Sequence, residues 1–488
     1  MTMAQRRPNV VLFPFLAQSH IIPFLALAQH IAQKGYSITF VNTPLNIRNL
    51  QKSLPQAFSS SITFAELPFN SSDHGLPPDI ESTDSLPGRL MGQFIRAATS
   101  SLSLPFKNLI SHLVTDDQDC HKPICVISDF FFSWVSDISH EFGIFHAIFG
   151  TVGGFGMACY YSMWLNLPHT RSSDQNFLLP DFPEAGKMRT NQVLPPILSS
   201  RENDPGTIFN QRMLTAWANS DALILNTLED VDEKGLMYFR RKLGIHVWGI
   251  GPVLLPEQYR SKHTTCAKEC IDWLDRKEAD SVIYISFGSQ NVNAISASQM
   301  MELAKALDAS GKNFMWVLRP PVEFDTNAEV EFVPEEWLPD GFVRRVQDEE
   351  RGLIVEKWAP QMEILAHESV GVFISHCGWN SVLEALKNGV PILSLPMGGD
   401  QIYNAKFLVE EVGVCVELAR GSNFQVVQED IMEKIELVMG ENERGKEIRR
   451  KAEEIKEMVR DAMRDEDDYK GSSVKAMEEF FKAAKLKS

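Results

Sequence analysis

One stretch constrains what the chain can fold into. From Trp358 to Gln401 it reads WAPQMEILAHESVGVFISHCGWNSVLEALKNGVPILSLPMGGDQ. Gly371 to Ser375 is a short apolar run that suits a buried parallel strand. His376 to Asn380 follows as a tight turn. Ser381 to Asn388 has helical character, with Gly389 as its stop and Pro391 just beyond. A helix N-terminus behind a strand offers free N–H groups and the positive end of a dipole, so it favours an anion. Asn380, Ser381 and Glu384 fall at i, i+1 and i+4 and cluster on the first turn. Amide, hydroxyl and carboxylate together suit a phosphate plus a sugar diol. The plainer alternative is a strand–helix unit with ordinary caps.

The same alternation runs through the chain. Asn9 to Phe13 reads as a first parallel strand, Pro14 to Ser19 as a loop, about Ile22 to Gly35 as an amphipathic helix and Tyr36 to Val41 as a second strand. Asn42-Thr43-Pro44 opens a further helix. Such a βαβ beginning predicts a doubly wound α/β sheet, in which ligands sit beyond the carboxyl ends of the strands. His20 falls in that position. So does Asp129, at the end of the strand Pro123 to Ser128. Asp129 either caps the following helix, FFFSWVSDIS, or orients His20 by binding one ring nitrogen, fixing the tautomer and stabilising the imidazolium. His146 to Phe149 is another core strand. Gly150, Gly153, Gly154 and Gly156 do not fit GxGxxG and read as close helix–strand packing. Pro168 to Asn203 reads as a long loop shaping a variable pocket. Ala222 to Leu225 and Ile245 to Trp248 are short strands. Val282 to Phe287 opens a second doubly wound unit, and Gly288-Ser289 at its end reads as a second phosphate-binding turn, with the Ser289 hydroxyl suited to an anion. Phe314 to Leu318 is the next strand, and Glu323 to Glu331 an acidic loop. From Glu429 the chain reads as charged helix, with i,i+4 pairs such as Glu447–Lys451. The expected partition is a first domain over 1–252, a linker over 253–277, a second domain over 278–465 and a terminal helix over 466–488.

Composition narrows the function classes. A net charge of −17 over 488 residues argues against a nucleic-acid partner, which needs a basic face. Cys120, Cys125, Cys159, Cys266, Cys270, Cys377 and Cys415 lack zinc spacing, so they read as reduced thiols and no metal site is expected. Arg6-Arg7, the apolar run Val10 to Ala17 and Ala26-Leu27-Ala28 resemble a secretion signal, but Pro14, Gln18, His20 and Pro23 interrupt the run. No apolar stretch of about 20 residues occurs, so no membrane span is expected. The reading is a cytoplasmic protein, monomeric, with small-molecule partners.

The Trp358–Gln401 stretch resembles the signature box of plant UDP-dependent glycosyltransferases, the secondary-product enzymes of glycosyltransferase family 1. It starts WAPQ, contains HCGWNS and GVP, and ends DQ. QSHIIPFLALA likewise matches the family's N-terminal pattern around a catalytic histidine. The resemblance covers nearly the whole chain. It implies the GT-B fold, two Rossmann-like domains facing across a cleft, and a metal-independent inverting hexose transfer from a UDP-sugar co-substrate to a hydroxyl of a small lipophilic metabolite. It makes the first expected domain the acceptor-binding domain and the second the UDP-sugar-binding domain, and packs the terminal helix back on the first. It makes His20 the general base and Asp129 its orienting partner. Trp358 would stack on uracil and the Ala359 backbone would read its edge. Gln361 and Glu384 would take ribose hydroxyls. His376, Asn380, Ser381 and Ser289 would hold the diphosphate. Trp379, Asp400 and Gln401 would bind the hexose, with Thr151 touching it from the N-terminal half. Gln401 at the end of the box points to UDP-glucose. Phe131, Tyr160 and Gly398 are assigned to the acceptor side. This chain departs from the family pattern at Ser19, where glycine is common, and at Gly398-Gly399, where a bulky residue is usual. Two other classes remain open from the residues: a nicotinamide-dependent oxidoreductase, which would want GxGxxG after the first strand, and a sugar-nucleotide-binding protein without catalysis, which would keep the box and lose the base.

Overall fold

The computed structural model describes residues 7–487 apart from 54–60, 87, 116–121, 172–174, 256–264, 289–294, 325–331, 357 and 421–424. The chain divides into two compact units. The first comprises Met1–Gly154, Arg201–Arg260 and Ala462–Ser488, and the second Phe155–Ser200 and Ser261–Asp461.

In chain order the strands are β1 (Asn9–Phe13), β2 (Ser37–Asn42), β3 (Ile62–Glu66), β4 (Cys125–Asp129), β5 (Phe145–Gly150), β6 (Asn176–Leu178), β7 (Lys187–Arg189), β8 (Ala222–Leu225) and β9 (His246–Gly249). They continue with β10 (Val282–Ser286), β11 (Asn313–Leu318), β12 (Gly352–Glu356), β13 (Val370–Ser375), β14 (Ile392–Ser394) and β15 (Cys415–Glu417).

The first unit is built on a parallel sheet ordered β3-β2-β1-β4-β5-β8-β9. Its centre explains the apolar runs. Every residue of β1 is buried, because helices cover both faces of such a sheet. Successive side chains alternate: Val10 and Leu12 pack with Phe24, Leu27 and Ile31 of the helix Gln18–Gln33, while Val11 and Phe13 pack with Phe94, Phe106 and Phe132. The C-terminal helix Ser472–Lys487 lies in this unit. It adds Met477, Phe480 and Phe481 to the first of these clusters, with Phe481 stacked on Tyr36 at 4.5 Å.

The second unit is built on a parallel sheet ordered β12-β11-β10-β13-β14-β15. Ile283 and Ile285 of β10 pack with Phe314, Trp316 and Leu307 in its core. Both sheets reverse strand order beside their first strand, between β1 and β4 and between β10 and β13. These are the switch points where open α/β sheets bind ligands.

The structure redraws several expected elements. The helix expected directly after Asp129 starts later, at Val135–Glu141. Phe131 N–H donates to Asp129 Oδ1 at 3.2 Å and Phe132 N–H to the Asp129 carbonyl at 3.1 Å, so a turn intervenes. The stretch expected as a loop over 168–203 carries the antiparallel pair β6–β7 and the helical turn Pro195–Leu198. Residues 155–200 fall in the second unit, where Phe155 stacks on Phe407 at 5.2 Å and Lys406 Nζ donates to the Lys187 carbonyl at 3.1 Å. The helix after β13 runs Trp379–Asn388, so Trp379 and Asn380 belong to its first turn rather than to the loop. Gly378 occupies the N-cap position, its carbonyl accepting from Val382 N–H at 3.0 Å. Much of the expected linker, and most of the acidic loop, lie outside the described residues. Among the described residues no helix is long and apolar enough to cross a membrane.

Candidate active site

The first constellation lies at the β1/β4 switch point. His20 is in the first turn of the helix Gln18–Gln33, which has no side-chain cap of its own. Asp84 serves that end instead, its Oδ2 accepting from Gln18 N–H at 3.2 Å. Asp129 is the last residue of β4 and fully buried. His20 Nδ1 lies 2.7 Å from Asp129 Oδ2. An ionised carboxylate only accepts, so Nδ1 carries the hydrogen and Nε2 is left as the basic nitrogen. Asp129 does not cap the helix, which starts later; one of its oxygens holds the following turn and the other lies against the imidazole. Thr151 Oγ1 stands 3.4 Å from the same Nδ1. It therefore neighbours His20. The ring centroids of Phe15, Phe130 and Phe131 lie 5.6–5.8 Å from that of His20, so the imidazole sits in an apolar frame in which Phe131 takes part.

The second constellation lies at the β10/β13 switch point. Cys377 follows His376 with φ +62°, a left-handed conformation that makes the turn tight. Gly288, just after β10, has φ +79° and meets the His376 ring: a Cβ there would stand 2.9 Å from Nε2. At Gly378 the same distance would be 2.4 Å. Both glycines thus make room for the imidazole. Burial pushes the His376 pKa down to about 4, against a hydrogen bond with the Ser286 backbone that favours the charged form. The ring is neutral at pH 7 and acts as a hydrogen-bonding group rather than a fixed cation. Ser289 lies outside the described residues.

The box's other polar residues form a connected set. Gln361 opens the helix Gln361–Ala366. Its Nε2 donates to Ser381 Oγ at 3.0 Å and to Glu384 Oε2 at 2.6 Å. Asn380, Ser381 and Glu384 share the first turns of the helix Trp379–Asn388 as the spacing predicts. Trp358 is 43% exposed, a face open to stacking. Buried Ala359 follows it, its carbonyl accepting from Gln361 N–H at 2.9 Å. Asp400 precedes the helix Gln401–Phe407. Buried Asn404 clamps it, Nδ2 donating to Asp400 Oδ2 at 2.8 Å and to the Cys377 carbonyl at 3.0 Å. Gln401 Oε1 accepts from Met397 and Gly398 N–H at 2.9 and 3.0 Å, so its NH2 end is the one able to reach a ligand hydroxyl. The Trp379 ring packs 6.3 Å from Phe407. Tyr160 lies within the field of Asp400, and burial raises its phenol to about 12. Gly398 is half-buried on the loop before Asp400.

Three participants were not singled out from sequence: Asp84, Asn404 and Tyr284, whose hydroxyl reaches Gln361 Oε1 at 3.2 Å. Asn404 carries a faint signal, a helical offset of four from Asp400.

Comparison with known proteins places the whole chain among glycosyltransferases. Residues 8–143 match the family model described as glycosyltransferase, N-terminal domain. Residues 260–452 match UDP-glucoronosyl and UDP-glucosyl transferase. The chain is 43% identical to UDP-glycosyltransferase 92A1 of Arabidopsis thaliana over 99% of both chains. It is 38% identical to crocetin glucosyltransferase 3 of Crocus sativus, over 90% of this chain and 92% of that one. Among solved structures, Glycyrrhiza uralensis UGT73P12, complexed with glycyrrhetinic acid 3-O-monoglucuronide, superposes with TM-score 0.81 at 25% identity, over 99% of this chain and 96% of that chain. Medicago truncatula UGT71G1, complexed with UDP-glucose, superposes with TM-score 0.77 at 23% identity, over 98% of each, a likeness of fold. Two doubly wound domains of this kind are the GT-B fold.

Proposed function

We propose a reaction that starts from a plain premise: the chain belongs to the family of UDP-glucuronosyl and UDP-glucosyl transferases, and is a UDP-glycosyltransferase. The reading is an inverting transfer of a hexose, glucose first, from the UDP-sugar to a hydroxyl of a small lipophilic plant metabolite. The observation that carries it is the His20–Asp129 pair, 2.7 Å apart at the β1/β4 switch point. With Nδ1–H held by Asp129, Nε2 takes the proton of the acceptor hydroxyl as that oxygen attacks the anomeric carbon. The new C–O bond forms as the bond from the anomeric carbon to the diphosphate oxygen breaks, so the electron pair leaves with UDP. In-line displacement inverts the centre. Asp129, ionised and buried, stabilises the imidazolium that results.

Departure of UDP is eased by the N-terminus of the helix Trp379–Asn388 and by hydrogen bonding from His376. A diphosphate close to the ring would draw its pKa upward from about 4 and add charge to that bond. Trp358 offers its open face to uracil, Gln361 and Glu384 serve the ribose, and Trp379, Asp400 and the Gln401 amide serve the hexose. Resemblance at Gln401 points to glucose. Gly398, lacking the usual bulky side chain, opens the acceptor side to large substrates.

Purified protein incubated with UDP-glucose and a panel of phenols tests this. UDP release, a product heavier by one hexose, and a β-configured anomeric carbon are expected. Binding of UDP-glucose without turnover on any acceptor hydroxyl would leave a sugar-nucleotide-binding protein instead.

A further inference from the structure

Tyr284 takes no part in the chemistry described so far. It is the central residue of β10, paired with Met315 on one side and Phe373 on the other, and is 1% exposed. Its ring stacks on Phe373 at 5.1 Å and 24°. Position and packing suit a phenylalanine, since an inward phenol must find hydrogen-bond partners. It has them. Ser286, two residues on and so on the same strand face, holds the phenol by a side-chain hydrogen bond. The phenol in turn reaches Gln361 Oε1 at 3.2 Å. Burial pushes its pKa well above the ordinary range, so the hydroxyl keeps its proton at any working pH.

That proton sets the direction of everything beyond it. An ionised Glu384 only accepts, so Gln361 must present its NH2 group there, as it does at 2.6 Å, and to Ser381 Oγ at 3.0 Å. The amide oxygen must then face a donor on its other side. Tyr284 is that donor. Without it the oxygen would lose the donor that holds it, and the amide would be freer to swing away from Glu384.

We propose that Tyr284 is a positioning residue: through Gln361 it fixes the Glu384 carboxylate for the donor's ribose, and so makes the enzyme prefer a ribose to a deoxyribose nucleotide sugar. The proposal rests on the reading that Gln361 and Glu384 take ribose hydroxyls.

The test measures kcat and KM for UDP-glucose and for its 2′-deoxy- and 3′-deoxyuridine analogues, in the wild type and Tyr284→Phe. Wild type should prefer UDP-glucose to at least one deoxy donor by about tenfold or more, as loss of a partner from a buried polar set predicts. Tyr284→Phe should raise KM for UDP-glucose by roughly 5–20-fold, change the disfavoured deoxy donor less than about twofold, and so collapse the preference. In a Gln361→Ala background Tyr284→Phe should have no further effect on the preference. Equal losses on all three donors would mean that Tyr284 only packs, and would overturn the inference. A wild type indifferent to the ribose hydroxyls would overturn the underlying ribose assignment as well. If Tyr284→Phe does not fold, Ser286→Ala, which frees the phenol from its other side, should erode the preference in the same direction, and an unchanged preference there would count against the proposal.

Discussion

Replacing Asp129 with asparagine probes the base without changing its volume. Two donors converge on this fully buried carboxylate: His20 Nδ1–H at 2.7 Å and Phe131 N–H at 3.2 Å. Aspartate offers each an oxygen. Asparagine has one oxygen and one NH2, so one donor must face another donor. If the oxygen stays with Phe131, the turn survives and the imidazole meets an amide NH2, which favours the wrong tautomer. If the oxygen turns to His20, a buried N–H is orphaned at about 1–3 kcal/mol. Either way the charge opposite the imidazolium is gone, and lost general-base assistance is worth roughly 10²–10⁴ in kcat, or about 3–6 kcal/mol at about 1.4 kcal/mol per decade. Thr151 Oγ1, 3.4 Å from Nδ1, offers the imidazole a fallback acceptor, so the loss should lie toward the lower end and deepen when Thr151→Val is added. The assay is turnover of UDP-glucose with a phenol, beside calorimetric UDP affinity. Turnover within threefold of wild type, or an equal loss of UDP binding, would refute the reasoning.

Removing the Trp358 ring in Trp358→Ala should weaken UDP by about 1–3 kcal/mol, measured by calorimetry, because uracil would lose the exposed ring proposed to stack on it. Gly398→Phe should leave UDP-glucose affinity intact and cut turnover of bulky acceptors more than that of simple phenols; equal losses would indicate strain in a loop whose Gly398 N–H already binds Gln401. Acid should destabilise the fold through two buried histidines. His376 and His146 are held down to about 4 and about 3 by burial, so the unfolded chain takes up their protons below about pH 6.5 while the native state does not. Stability is therefore full above that pH and falls below it by about 1.4 kcal/mol per unit for each residue, and His146→Gln should shallow that fall in denaturant unfolding between pH 7 and pH 5.

The sheets and the box were legible because their signals are local. Apolar runs of five or six residues, each followed by a turn and a helix, specify buried parallel strands, and the strand ends then point to His20, Asp129 and His376. What was not legible comes from long-range pairing. Tyr284 sits in VIYISF and reads as one more core aromatic; its partner Gln361 is 77 residues away. Asp84 lies in a Pro- and Ser-rich stretch that reads as surface, yet it reaches the His20 helix across 66 residues. The place of 155–200 was hidden for a related reason. The anchors of this segment, Phe155 on Phe407 and Lys406 on the Lys187 carbonyl, depend on tertiary packing that no local period encodes.

The central claim is that His20 removes the acceptor proton, and His20→Ala tests it most directly. Turnover of UDP-glucose with a phenol of ordinary pKa should drop by roughly 10²–10⁴, while UDP affinity, which the proposed function assigns to Trp358 and the residues around His376, should stay within about twofold of wild type, since a halving of affinity is only about 0.4 kcal/mol. Turnover close to wild type in His20→Ala would contradict the account.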